Sequence, residues 1–88
     1  MYTFDVSENL ERKLNKLSKK DNQLYTQVLK KIDEVIHSEH IEHYKNLRYN
    51  MKDSKRVHIG HFVLIFQVEN DKNLILFDDF DHHDSIYK

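Results

Sequence analysis

The chain's 88 residues suit one domain over 1–88, and they carry 14 Lys and Arg against 15 Asp and Glu with no cysteine. The missing cysteines exclude disulfide staples, a thiol nucleophile and a Cys-based zinc site. Residues 1–52 hold 10 basic and 8 acidic side chains and residues 53–88 hold 4 and 7, so charge alone does not demand a nucleic-acid partner.

Tyr2–Val6 alternates apolar and polar side chains, with Tyr2, Phe4 and Val6 on one side, and reads as a short strand. Ser7 then caps a helix, with Glu8 at the positive end of its dipole and Lys19 and Lys20 at the negative end. Leu10, Leu14 and Leu17 give that helix one narrow apolar stripe. Asp21 caps a second helix, whose stripe of Leu24, Val28, Ile32 and Val35 is widened by Tyr25, Leu29 and Ile36. Ser38–Asn46 has no clean period and reads as a loop, and Leu47–Met51 as a lead-in to the sheet.

The second half is strand-like. Val57 and Ile59 alternate with Arg56 and His58, which directs the latter two away from the core. Gly60, the only glycine, marks a tight turn. Phe62–Val68 is apolar on both faces until Gln67 and predicts a central strand; Glu69–Asn73 predicts a hairpin turn and Leu74–Phe80 the returning strand. The expected order is β-α-α-β-β-β, an α+β domain with both N-terminal helices on one side of a largely antiparallel sheet. No apolar run approaches the ~18 residues of a membrane span, and the N-terminus lacks the basic head and apolar stretch of a signal peptide. A cytoplasmic protein with no membrane partner is expected.

One glycine cannot build a phosphate-cradling loop, and none of the five serines lies in a nucleophile turn. What remains is histidine, with Tyr87, Arg56 and the carboxylates. His37, His40 and His43 recur every third residue. A helix running through them would put successive pairs on one face, within reach of a transition metal, whereas a loop leaves them solvated. The solvated reading is adopted and no metal site is assigned. Asp78, Asp79, Asp81, His82, His83 and Asp84 offer oxygen and imidazole ligands, but strand alternation sends neighbours to opposite faces, so they read as a solvated strand end.

The third constellation joins His58, His61, His82, His83 and Tyr87 from strand ends and the tail. Metal-free RNA cleavage needs a base for the 2′-hydroxyl, an acid for the leaving 5′-oxygen and a cation for the phosphorane-like transition state. Two histidines and Arg56 suffice in kind, with Lys52, Lys55 and Arg48 as further phosphate-binding candidates. Tyr87 can stack on a base or donate a proton. The bland alternative leaves the histidines at the surface and packs Ile86 and Tyr87 on the core.

Over nearly its whole length the chain resembles the RelE/ParE superfamily of toxin–antitoxin toxins. The likeness rests on the element order, and on Arg56-Val57-His58-Ile59-Gly60-His61-Phe62 where the family has R-V-x-x-G-x-Y/F. It extends to the strand Leu64-Ile65-Phe66-Gln67-Val68 and to His82-His83-Asp84-Ser85-Ile86-Tyr87 against the family ending H-R-x-x-I/V-Y. The resemblance implies a small twisted RelE-like sheet and no cofactor. It implies either mRNA cleavage in the ribosomal A site without metal, inhibited by a cognate antitoxin, or, in the ParE branch, action on DNA gyrase. Carried over by position, Arg56 becomes a basic residue of the sheet, Tyr87 the near-terminal tyrosine that works at the RNA, and His82 a tail acid or base.

Two positions depart from the pattern. Val63 and His83 stand where active relatives carry arginines. Losing one such electrostatic clamp costs about 10²–10³ in rate. The expected function is therefore a type II toxin acting as a ribosome-dependent mRNA endonuclease, with His82, His83, Tyr87, His58 and His61 as the chemical group and Arg56, Lys52, Lys55 and Arg48 holding phosphate. The alternative is a non-catalytic relative, either a ParE-like gyrase inhibitor or a degenerate toxin that only binds its antitoxin. Expected partners are that antitoxin, the ribosome and mRNA, with assembly as a homodimer or a hetero-oligomer with the antitoxin.

Overall fold

A computed structural model describes residues 1–47 and 54–87. Its elements are β1 (Thr3–Val6), α1 (Glu8–Lys20), α2 (Asn22–Ile36), β2 (Ser54–Ile59), β3 (Phe62–Glu69), β4 (Leu74–His82) and α3 (His83–Ile86), with 3-10 turns at Ile41–His43 and Asn70–Lys72. Arg48 and Lys52, and most of the expected lead-in Leu47–Met51, lie outside the described residues.

Helix boundaries follow the capping chemistry. Ser7 Oγ accepts a hydrogen bond from the Leu10 amide at 3.1 Å, and Glu8 and Glu11 occupy the first turn of α1. Asp21 ends α1 through its own amide, which donates to the Leu17 carbonyl, and starts α2 by accepting from the Leu24 amide. One residue therefore sets both the stop and the start, which folds the helices into a hairpin. The stripe residues Leu10, Leu14, Val28, Ile32, Val35 and Ile36 are buried as their spacing predicts. Leu29, expected to widen the second stripe, is instead 43% exposed, as is Phe4 of β1 at 45%.

The sheet order is β1-β4-β3-β2, so β3 is a central strand as its two apolar faces predict. β2–β3 and β3–β4 pair antiparallel, and β1 pairs parallel with β4 from Thr3–Leu74 to Val6–Phe77. The sheet is thus mixed. The β2–β3 turn spans only Gly60 and His61, with Gly60 at φ +62°, as the first position of a type II′ hairpin turn requires.

A bulge decides which side chains of β4 enter the core. Strict alternation would put Phe77 and Phe80 on opposite faces. Phe77 pairs with Phe66 and Asp79 pairs with Ile65, leaving Asp78 as the extra residue. Both phenylalanines consequently join Leu64, Phe66 and Ile75 in the core beneath α1 and α2. Val63 and Ile65 are also buried but lie outside that cluster, on the opposite face, and α3 packs back on β3 and β4.

Candidate functional site

The face of the sheet away from α1 and α2 carries a row of four polar side chains. Arg56 pairs across the strands with Ile65, and His58 with Val63, so both project from that face as alternation predicts. The tail supplies the other two. The His83 amide donates to the His61 carbonyl at 2.8 Å, and this bond turns the chain from β4 into α3. The His83 ring stacks on His58 with centroids 5.7 Å apart and lies 4.6 Å from the Tyr87 ring. Arg56 Cζ sits 5.5 Å above the Tyr87 centroid, a cation–π distance. The contacts run from Arg56 to Tyr87 to His83 to His58, and Arg56 and His58, two apart on one face of β2, close the group.

The electrostatics of the row favour a neutral His58. Desolvation, then the positive charge of Arg56, the neighbouring His83 and Lys45 hold its imidazolium form below the ordinary 6.5. Asp84 Oδ1 lies 3.6 Å from His83 Nδ1, which puts a carboxylate beside that ring. Arg56 Nε donates to the Asn46 carbonyl at 3.2 Å, orienting the guanidinium over Tyr87. The Tyr87 hydroxyl is buried and has no hydrogen-bond partner among the described residues.

The five-residue constellation read from sequence divides. His58, His83 and Tyr87 come together, whereas His61 and His82 stack on each other at 6.1 Å and lie against Phe62, which in turn stacks on Phe80. His82 Nδ1 accepts from the Asp84 amide at 3.3 Å and caps α3. Of the expected phosphate binders, Arg56 is in the row. Lys55 is turned elsewhere, its ammonium donating to the Tyr44 carbonyl and Asn46 Oδ1 at 3.1 and 3.2 Å.

Alternation alone did not anticipate the acidic end of β4. Asp79 and Asp81 lie two apart and so share a face, which the bulge makes the one opposite Phe77 and Phe80, and both meet Lys13 of α1, whose Nζ lies 2.7 and 3.0 Å from them. One lysine thus pairs with two carboxylates of the segment that reads as a solvated strand end, which leaves the three groups a net charge of −1. Lys13, Lys45 and Asn46 had no sequence signal as site residues: the first lies among the many charges of α1, and the other two sit in the aperiodic stretch.

Residues 4–87 match the family described as "ParE toxin of type II toxin-antitoxin system, parDE". A protein of Methanocaldococcus jannaschii named "Putative toxin RelE4" is 46% identical over 89 residues, covering 100% of this chain and 93% of the relative. The chain belongs to the RelE/ParE toxin superfamily. This RelE/ParE toxin also shares its fold with the isolated RelE toxin of E. coli at a TM-score of 0.77 and 24% identity, over 93% of this chain and 84% of that one. The RelBE2 toxin–antitoxin complex of Mycobacterium tuberculosis gives 0.73 and 18%, over 92% and 96%. The α+β, RelE-like architecture expected from the sequence is the one observed. Among the described residues no helix is long and apolar enough to cross a membrane.

Proposed function

We propose that this toxin is a ribosome-dependent mRNA endonuclease that acts without metal in the cytoplasm and is silenced by a cognate antitoxin. The observation that supports this most is the row in which a neutral His58 stands 5.7 Å, ring to ring, from His83, with Arg56 two residues away on the same face of β2. His58 takes the proton of a ribose 2′-hydroxyl as that oxygen attacks the adjacent phosphorus. His83 gives a proton to the departing 5′-oxygen, and the products are a 2′,3′-cyclic phosphate and a free 5′-hydroxyl. Arg56 neutralises the charge that builds on the phosphorane. Tyr87, its hydroxyl enclosed, acts as a positioning residue that holds Arg56 and His83 on its ring. His61 and His82 position the start of the tail. The antitoxin partner is supported by the fold shared with toxins solved in antitoxin complexes.

A second reading, the non-catalytic relative, is favoured by Val63, which is fully buried where active relatives carry arginine. The two are separated by expressing wild type, His58→Ala, His83→Ala, Arg56→Ala and Tyr87→Phe and mapping mRNA ends on translating ribosomes. The expected losses of cleavage are about 10²–10⁴ for either histidine and about 10²–10³ for Arg56, with Tyr87→Phe close to wild type. The acidic limb of the rate profile is expected below pH 6.5, because His58 must be neutral to accept a proton and its pKa is lowered. Growth arrest with intact mRNA and failed gyrase supercoiling would overturn the nuclease reading in favour of the second.

A further inference from the structure

The connection that leaves α2 carries a cluster that plays no part in the row. We propose that His40, Glu42 and His43 form a binding site for a divalent first-row transition metal, with two imidazoles and one carboxylate as ligands. This proposal is independent of the toxin reading.

The local fold explains why these three converge. Helix α2 ends at Ile36, so the histidine triplet does not continue along one helix. His37 is drawn back onto α2, its Nδ1 2.8 Å from the Asp33 carbonyl oxygen. The chain then closes a 3-10 turn, with the His43 amide donating to the His40 carbonyl at 2.9 Å and Tyr44 to Ile41 at 3.2 Å. Residues i and i+3 eclipse in that geometry. The His40 and His43 rings accordingly stack with centroids 5.1 Å apart and planes at 14°.

The turn is held from beneath. Ile41 is 4% exposed in the core, the Tyr44 ring meets Phe66 edge-on at 5.5 Å, and the Tyr44 carbonyl accepts from Lys55 at 3.1 Å. Burial of Ile41 and the packing of half-buried Tyr44 on the core leave His40, Glu42 and His43 facing solvent together. One nitrogen from each imidazole and one Glu42 oxygen lie within 4.8 Å of one another.

Tetrahedral ligands at zinc distances stand about 3.4 Å apart, so binding draws the three ligand atoms closer and turns the stacked rings until their in-plane lone pairs meet at the ion. Imidazole donors favour zinc, cobalt, nickel or copper over magnesium and calcium, which take oxygen. A solvent-open cleft lined by Ser38, His40, His43 and Tyr44 leaves room for water as a fourth ligand.

The test is titration of tag-free protein with Zn²⁺ by calorimetry, and with Co²⁺ by visible absorption to report coordination. Wild type is expected to bind a single equivalent. Loss of an outer-shell partner alone weakens metal sites about 10–100-fold. His40→Ala, His43→Ala and Glu42→Gln should therefore each weaken binding at least about tenfold, and the double histidine variant should abolish it. A His58→Ala/His83→Ala chain controls for the other imidazoles and should bind as wild type does. All three ligands are exposed, so metal-free melting temperatures should match and certify folding. Zn²⁺ binding that survives His40→Ala/His43→Ala, or wild type that takes up no Zn²⁺ at micromolar concentrations, would overturn the proposal.

Discussion

The two faces of the β2–β3–β4 sheet are made from alternate residues of the same strands and obey different rules. The helix-side face buries Leu64, Phe66, Ile75, Phe77 and Phe80 under α1 and α2. The opposite face carries Arg56 and His58 over Val63 and Ile65, roofed by a helix of four residues and Tyr87. Dispersion and dehydration hold the first face together. Ring stacking and one cation–π contact organise the second, and each such contact is worth about a kcal/mol. Period-two alternation therefore separates what keeps the chain folded from what is available for chemistry.

The largest expected effect tests the first face. Phe66→Ala should cost about 3–5 kcal/mol in urea unfolding, because Phe66 is fully buried between Tyr44 and Phe77. His83→Ala, on the exposed side, gives up its two ring contacts and should cost about 1–2 kcal/mol, well short of the Phe66 loss. If His83→Ala unfolded the chain as readily, the tail would be part of the core and the contrast between faces would fail.

A smaller effect sharpens the boundary between the faces. Gly60 separates His58, in the open row, from His61, in the helix-side stack, and does so at φ +62°. A Cβ added there meets nothing within 4 Å, so Gly60→Ala should cost only the left-handed backbone penalty. That is about 1–2 kcal/mol. Gly60→Asn should cost less, since asparagine is among the residues that accept a positive φ in primed turns. Equal unfolding midpoints for glycine, asparagine and alanine would show that the turn conformation is not what sets the register.

The fold was readable because its determinants are local and periodic. Ser7 and Asp21 cap, the leucine and valine stripes recur at helical spacing, and Phe62–Val68 has two apolar faces. The parallel pairing of β1 with β4 was not readable, since Tyr2–Val6 has nothing in its side chains that selects a partner strand. Nor was the bulge, although the spacing Phe77-Asp78-Asp79-Phe80 is the trace it leaves. In the site, Arg56 and His58 were legible from alternation. The division of the tail histidines was not, because α3 turns the chain between His82 and His83 and a strand-like reading of the tail cannot assign their faces.

Lys13 joins the two systems together with Asn9, whose side-chain amide donates to Asp79 Oδ1 at 3.0 Å, and removal of Lys13 should give the smallest change in stability. It reaches past the end of β1, whose pairing with β4 stops at Phe77, to Asp79 and Asp81. The hydrogen bond from Lys13 pulls the Asp81 carboxyl below 3.8 against the opposing effect of burial. For Lys13, burial acts downward, but the hydrogen bonds it donates to both carboxylates and their negative charge outweigh it, and the ammonium pKa rises above 10.5. A lowered carboxyl pKa means the folded state binds fewer protons than the unfolded one. Its contribution is present above about 3.8 and lost as pH falls through the lower folded value. The raised lysine pKa contributes below 10.5 and is lost as pH rises through its folded value. The three side chains are 29–42% exposed, so solvent screens the pair. Lys13→Ala should therefore destabilise by less than about 1 kcal/mol at neutral pH. The difference from wild type should shrink at about pH 3 as the carboxylates protonate. It should also leave two carboxylates without their cation beside Val63 and Ile65, their cross-strand partners, and so weaken the proposed RNA cleavage most at low ionic strength. Unfolding curves at both pH values and a salt series of cleavage rates check this; a Lys13→Ala penalty unchanged between them would mean that the lysine acts through its aliphatic stem rather than its charge.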